Sequence, residues 1–463
     1  MRARSALLTA ASVLLALLVA AVVRGSPGLS PAADRALFVL VLAAALWISE
    51  AMPAFAVAVL VIALEVLLLG RPGGVFAATP NDWQRFVIVL GDPIIWLFFG
   101  GFVLAAAAAK TGLDRLLAVR VLAWSGPAPG GVLLGVLGLS FAFSMFMSNT
   151  ATAAMMLAVV APVVAATDAG DPFGKALLLA VAFGANVGGM GTIVGTPPNA
   201  IAVGLLGELP GQRIDFLQWI LLGLPPSLVL AGVTWAYLRL RYASGAANRR
   251  IAALKPTDGP PSAGPPWQRR AVAVTFAATV LLWMTGQWHR IPATAVALAP
   301  IVVFTSTGIL DGRDIRSLSW DVLLLMAGGL ALGVAVKETG LAEWLLAVLP
   351  LEGMGTVGAT VMISYAAVAL SNFMSNTAAA NILLPIGMAL MSGLEAHVAV
   401  PIALAASAAM CLPISTPPNA IVFSAGRLET RDLLAGGLLI GTLAPFLCSA
   451  WVSLVWDWVA RAG

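Results

Sequence analysis

The chain is written as a succession of apolar runs long enough to cross a lipid bilayer. A span needs about 20 apolar residues. Eleven segments read as candidates: 5–23, 35–50, 53–69, 92–110, 175–206, 216–241, 271–287, 292–308, 320–337, 398–425 and 432–458. Lipid offers no partner to a free N–H or C=O, so such segments must be helices that satisfy their own backbone. The expected fold class is an all-α polytopic membrane protein. Composition agrees: 60% of the residues are apolar and 10% charged, where a soluble domain carries about 25% charged residues. The net charge of +4 reflects few acids and loop arginines that set topology rather than a nucleic-acid partner. Cys411 and Cys448 lie in apolar runs and offer neither a disulfide framework nor a metal spacing. His289 and His397 are too far apart in sequence to suggest a histidine site. The N-terminus, Met1-Arg2-Ala3-Arg4 followed by apolar 5–23, resembles a signal peptide. Its apolar core is too long, and Arg24 stands where small residues belong, so a retained first span is expected.

Two further apolar stretches, 131–166 and 356–392, are too long for one span. Each is interrupted near its centre, by MFMSNTATAAMM (145–156) and FMSNTAAANILL (373–384). Ser, Asn and Thr compete with backbone hydrogen bonding and favour caps and turns. The reading is a re-entrant helical hairpin in each stretch, with Ser-Asn-Thr at its tip. Gly131 and Gly135, a GxxxG in one arm, are explained by close packing. Two of the eleven spans carry a different break, GGMGTIVGTPPNAIAV (188–203) and CLPISTPPNAIVFS (411–424). Pro-Pro cannot continue a helix from before but can begin one. Each of these spans is therefore expected as two half-helices, 175–190 then 199–206, and 398–412 then 419–425.

The interruptions come in pairs, and so does the text around them. GGFVLAAAAAKTGLDRLL (100–117) matches GGLALGVAVKETGLAEWLL (328–346), and MPAFAVAVL (52–60) matches IPATAVALA (291–299). With the first span set apart, each half holds five crossings and a hairpin. Five is odd, so the second half is expected upside down relative to the first, the arrangement of secondary transporters. The expected organisation is 1–34 as first span and loop, 35–242 as first inverted repeat, 243–270 as linker and 271–463 as second repeat. The stretch 239–270 holds seven Arg/Lys against one Asp, which places it in the cytoplasm. Counting outward, the N-terminus is inside and the C-terminus outside. Of the Arg/Lys, 17 then fall inside and 8 outside.

Four places thus have helix ends pointing inward. Helix N-termini attract anions and free C-terminal carbonyls suit small cations. No Arg, Lys, Asp or Glu stands in any of the four motifs. An anion here would be held by N–H groups, hydroxyls and amides, with bound cations as countercharge. Proton coupling would want an intramembrane acid. Glu65 is the clearest candidate, but it lies outside the motifs and reads as a residue snorkelling near a helix end or packed against a partner. No nucleotide-binding motif, HExxH or Ser-His arrangement is present, so neither ATP drive nor an intramembrane enzyme is indicated.

The paired Ser-Asn-Thr tips and Thr-Pro-Pro-Asn linkers resemble the divalent anion/sodium symporter family, whose members move dicarboxylates, citrate or sulfate. SAAMCLPISTPPNAIV (407–422) resembles its sodium:sulfate symporter signature, departing at Met410, where the signature has Phe. The resemblance implies at least two sodium sites: Ser144, Ser148, Asn149 and the Gly195 carbonyl in one, Ser371, Met374 (backbone), Asn376 and the Ser415 carbonyl in the other. It implies that substrate meets Asn149, Thr150, Asn376 and Thr377 above Thr196, Thr416 and Pro417. Asn199 and Asn419 would hold the linkers in shape. It also implies a homodimer in the cell membrane and an elevator motion, with no organic cofactor. Ala379, where a second Thr is common, and Asn372, where an acid is common, bear on substrate preference. A C4-dicarboxylate such as succinate is the expected cargo. Sulfate, citrate, and sodium-independent exchange or antiport are the alternatives, and basic residues that would replace sodium are missing from the motifs.

Overall fold

The computed structural model describes residues 2–126, 128–165, 167–168, 171–243, 265–348, 355–391 and 393–461. Residues 244–264, most of the expected linker, lie outside them. The described residues form helices and connecting turns, with no strand.

The first half begins with α1 (Arg2–Val23), α2 (Pro31–Ser49) and α3 (Ala54–Glu65), which runs on into a π turn, Val66–Gly70. A short α4 (Gln84–Val87) precedes α5 (Pro93–Thr111) and α6 (Leu113–Trp124). Next come α7 (Pro129–Ser144) and α8 (Asn149–Ala165), then α9 (Pro172–Gly188), α10 (Pro197–Gly207) and α11 (Phe216–Leu238). The second half contains α12 (Pro266–Met284), α13 (Gly286–His289), α14 (Ala293–Ser306), α15 (Gly312–Arg316), α16 (Trp320–Glu338) and α17 (Leu341–Val348). It ends with α18 (Thr356–Ser371), α19 (Asn376–Ala389), α20 (Glu395–Ser407), α21 (Pro417–Phe423) and α22 (Thr430–Arg461). Each of the eleven apolar segments falls on helix. Among the described residues, seven helices are long and apolar enough to cross a membrane by length and composition: Arg4–Val23, Pro31–Ser49, Gln84–Thr111, Pro172–Gly191, Phe216–Tyr242, Trp320–Glu338 and Thr430–Ala460.

Local chemistry sets the helix ends. Pro opens α2, α5, α9, α10 and α21, where its missing N–H costs nothing. Ser30, Asp92 and Asp171 cap α2, α5 and α9 through side-chain oxygens that accept from the first turn. The sequence reading missed α6 and α17. Each follows a long helix across a tight turn that ends in glycine, Gly112 at φ 66° and, after Thr339, Gly340 at φ 81°. This left-handed backbone is open to glycine at little cost, and it turns the chain sharply out of α5 and α16.

The halves interlock through matched contacts. Gly100 of α5 lies against Ala297 of α14, and Gly328 of α16 against Ala58 of α3. A methyl at Gly328 would sit 2.6 Å from Ala58 Cα, and one at Gly100 2.7 Å from Ala297 Cβ. These are corresponding positions of the repeated text. The α7–α9 contact also uses small residues: Gly184 and Gly188 lie on the backbone of Leu137 and Phe141. Gly131 and Gly135 pack against Ser125 at the end of α6, so their spacing serves packing. α21 lies on α8 and α9, while α10 lies on α19 and α20. Each half-helix thus rests on the other half's helices.

Candidate substrate and cation site

Both interrupted stretches break in the same way. α7 ends at Ser144 and α8 begins at Asn149; α18 ends at Ser371 and α19 begins at Asn376. Ser148 Oγ accepts from Ala151 N at 3.2 Å, and Ser375 Oγ accepts from Ala378 N at 3.2 Å. Each is an N-cap. The non-helical tip therefore precedes the Asn-Thr pair, which already belongs to the first helical turn. That shift leaves Ser148 capping α8 and puts the Asn149 and Asn376 side chains at helix N-termini.

The first tip and first linker meet around Gly189. Ser144 Oγ donates to Asn149 Oδ1 at 2.6 Å. A methyl on Gly189 would stand 2.7 Å from Asn149 Oδ1 and 3.3 Å from the Gly195 carbonyl oxygen. Glycine therefore leaves a small space bordered by oxygens that carry no formal charge. Thr192 Oγ1 donates to the Met145 carbonyl and ties the linker to the tip. The linker is held open by Asn199, whose Nδ2 donates to the carbonyls of Gly189 (2.9 Å) and Thr192 (2.8 Å). The Thr192 carbonyl also accepts from Gly195 N at 3.3 Å, so the Asn199 amide adds a second donor to the turn of the linker.

The second linker repeats this scheme. Asn419 Nδ2 donates to the carbonyls of Met410 (2.9 Å) and Leu412 (2.9 Å). Ser415 Oγ donates to Asn372 Oδ1 at 2.9 Å, and Cys411 N donates to the same oxygen at 2.9 Å. Asn372 thus pins the linker to the second tip. An acid there would lack the Nδ2 that donates to the Val368 carbonyl at 2.8 Å. The nearby Ser371 Oγ and Asn376 Oδ1 are shut off from solvent and make no hydrogen bond among the described residues. Their counterparts in the first tip bond to each other. Buried polar atoms are rarely left unpaired, and two such oxygens fit a cation ligand set. Met374 is buried beside them.

The residues expected to face substrate are less uniform. Thr377 is buried, while Thr150 is exposed. Thr196 is buried and its hydroxyl, like those of Thr150 and Thr377, takes no hydrogen bond among the described residues. Thr416 Oγ1 is committed: it accepts from Asn186 Nδ2 at 3.1 Å, and Asn186 Nδ2 also reaches Asn419 Oδ1 at 3.2 Å. Pro417 is exposed at the start of α21. The sequence reading overlooked Asn186, which carries α9 of the first half onto the second linker. Its signal was a lone amide in an otherwise apolar run. It also overlooked Asn381, whose Nδ2 donates to the Leu325 carbonyl of α16 at 2.9 Å. Glu65 does not snorkel. It is fully buried at the junction of α3 and the π turn, and neither oxygen has a hydrogen-bond partner among the described residues.

Comparison with known proteins identifies the family. A family model described as "Citrate transporter" (CitMHS) matches residues 38–409. The sodium-dependent dicarboxylate transporter SdcS of Staphylococcus saprophyticus is 31% identical over 456 residues, covering 89% of this chain and 84% of its own length. The Staphylococcus aureus protein of the same name is 30% identical over 444 residues, covering 87% and 82%. The chain belongs to the divalent anion/sodium symporter family. The symporter-family chain is therefore a multi-pass membrane transporter and not an enzyme. Its helices also superpose on the crystal structure of the Alcanivorax borkumensis YdaH transporter, with a TM-score of 0.59 at 12% identity, covering 88% of this chain and 99% of that one. At that identity the likeness concerns the fold.

Proposed function

We propose that the protein is a sodium-coupled symporter of divalent anions, with C4-dicarboxylates such as succinate as cargo. The observation that carries this reading is the pair of uncharged oxygen clusters at the two tips, above all the orphaned Ser371 Oγ and Asn376 Oδ1. A neutral cradle cannot balance a dianion, and burying an uncompensated charge costs several kcal/mol. Two sodium ions supply that balance, one beside Ser144, Asn149 and Gly195, one beside Ser371, Met374, Asn376 and Ser415. The anion then meets the N-terminal turns of α8 and α19, where N–H groups and the helix dipole favour negative charge, with the Thr150, Thr377 and Thr196 hydroxyls available to it. The names of the Staphylococcus relatives, sodium-dependent dicarboxylate transporters, support both the ion and the cargo.

The halves 35–242 and 271–463 lie upside down relative to each other, with the N-terminus in the cytoplasm and the C-terminus outside. The hairpins and broken spans move as one body against a scaffold that pairs in a homodimer in the cell membrane. Uptake into proteoliposomes tests the reading. Labelled succinate should accumulate under an inward sodium gradient more than citrate or sulfate, and not under potassium or a pH gradient. Asn149→Ala and Asn376→Ala should each abolish sodium-driven uptake; near-normal transport in either would remove the site assignment. Accumulation by counterflow without sodium would make the protein an exchanger.

A further inference from the structure

Away from the cradle, the start of α9, the end of α11 and the start of α22 enclose a cavity of about 450 Å³. Its lining is cationic. Lys175, Arg241 and Arg431 face it, with Asp432 in the lining and Glu429 at the rim, 3.6 Å from Lys175, as the two carboxylates against them. Lys175 Nζ pairs with Asp432 at 2.8 Å, and Tyr242 OH donates to the other Asp432 oxygen at 3.1 Å. Arg431 is held at the rim by Glu429, at 2.8 and 3.0 Å, and Asp171 caps α9 through Phe173 N. Arg241 has no ion pair among the described residues. Its guanidinium lies over the Tyr242 ring, 5.4 Å from the ring centroid.

The cavity also has a direction. Arg431 and Ala435 share one face of α22, and on that face Leu434 and Leu438 are exposed and lead toward the middle of the helix. Leu240, next to Arg241, is exposed as well. A polar, net-positive pocket thus opens at the end of an apolar track on a transmembrane helix. A soluble anion would use the pocket and leave the track bare, whereas a lipid would fill both. We propose that this cavity binds the phosphodiester headgroup of an anionic phospholipid, with Arg241 as its main countercharge, Arg431 at the rim and the acyl chains along Leu434 and Leu438. Basic pockets between transmembrane helices are suited to such headgroups.

Native mass spectrometry of the full chain, with phosphatidylglycerol, phosphatidylcholine or inorganic phosphate added, tests the assignment. Phosphatidylglycerol should remain bound and phosphatidylcholine should not. Removing a surface cation weakens anionic-lipid attraction about five-fold, so Arg241→Ala should lower phosphatidylglycerol occupancy by about that factor, while Arg241→Lys retains most of it. Thermal unfolding of the same samples checks that each variant is folded. Equal phosphatidylglycerol binding by wild type and Arg241→Ala would overturn the proposal. So would displacement of the lipid by inorganic phosphate at equal concentration, which would make the cavity a site for free anions.

Discussion

Single atoms decide most of what this protein can hold. Gly189 is the sharpest case. A methyl there would stand 2.7 Å from Asn149 Oδ1, inside the proposed first sodium site. Gly189→Ala should therefore lower sodium-driven uptake by more than ten-fold, while detergent unfolding curves remain close to wild type. The two linker asparagines act differently, since they serve the backbone. Each offers one NH₂ group to two linker carbonyls, one of which also accepts from a backbone N–H. Asn199→Ala and Asn419→Ala should each cost about 1 kcal/mol per hydrogen bond lost, read as a lower unfolding temperature. Asp in either place would not rescue, because it cannot donate. The role of these two residues was legible only through the resemblance of the Thr-Pro-Pro-Asn linkers to the family's, which implied that Asn199 and Asn419 hold the linkers in shape. Asn186 and Asn372 were harder to read: their partners lie 230 and 43 positions away, and no local pattern announces a contact at such range.

Among the elements, the breaks at Ser-Asn-Thr and Thr-Pro-Pro-Asn were the most legible feature, although Pro-Pro alone does not make a break: Pro225-Pro226 lies inside the continuous α11. The register of the breaks was less legible. The capping role of Ser148 and Ser375 moves the start of each following helix to the Asn, and a cap is settled by backbone geometry rather than residue type. The arms α6 and α17 escaped notice because both are short and follow a long apolar helix across a tight turn that ends in glycine. The glycine in the repeated Thr-Gly-Leu text was the available signal. Glycine also governs how long helices approach. Gly100 and Gly328 bring α5 onto α14 and α16 onto α3 at nearly backbone contact. Leucine at either position should separate that helix pair and destabilise the fold by about 1–3 kcal/mol or more, as overpacking does. The loss should appear in thermal unfolding in detergent, and the two variants should resemble each other because the contacts correspond.

At the scale of the molecule, the proposed elevator motion would have to break contacts between the hairpins and the scaffold. The hydrogen bond from Asn381 of α19 to the Leu325 carbonyl of α16 is such a contact, and Gly329 leaves the room that Asn381 occupies. One hydrogen bond contributes about 1 kcal/mol, or about a five-fold population ratio. Asn381→Ala should shorten the dwell time in the arrangement seen here by roughly that factor, measured by single-molecule fluorescence between labels on α16 and α19. An unchanged dwell time would mean that α19 and α16 travel together.

Asn186 has a wider consequence. It roots in the helix that feeds the first linker, yet its amide grips Thr416 and Asn419 in the second. With sodium at both tips as proposed, an ion settling at one would stiffen the frame in which the other must settle. Filling would then be cooperative, and a half-loaded carrier would be a poor host for the anion, which would guard the gradient against leakage.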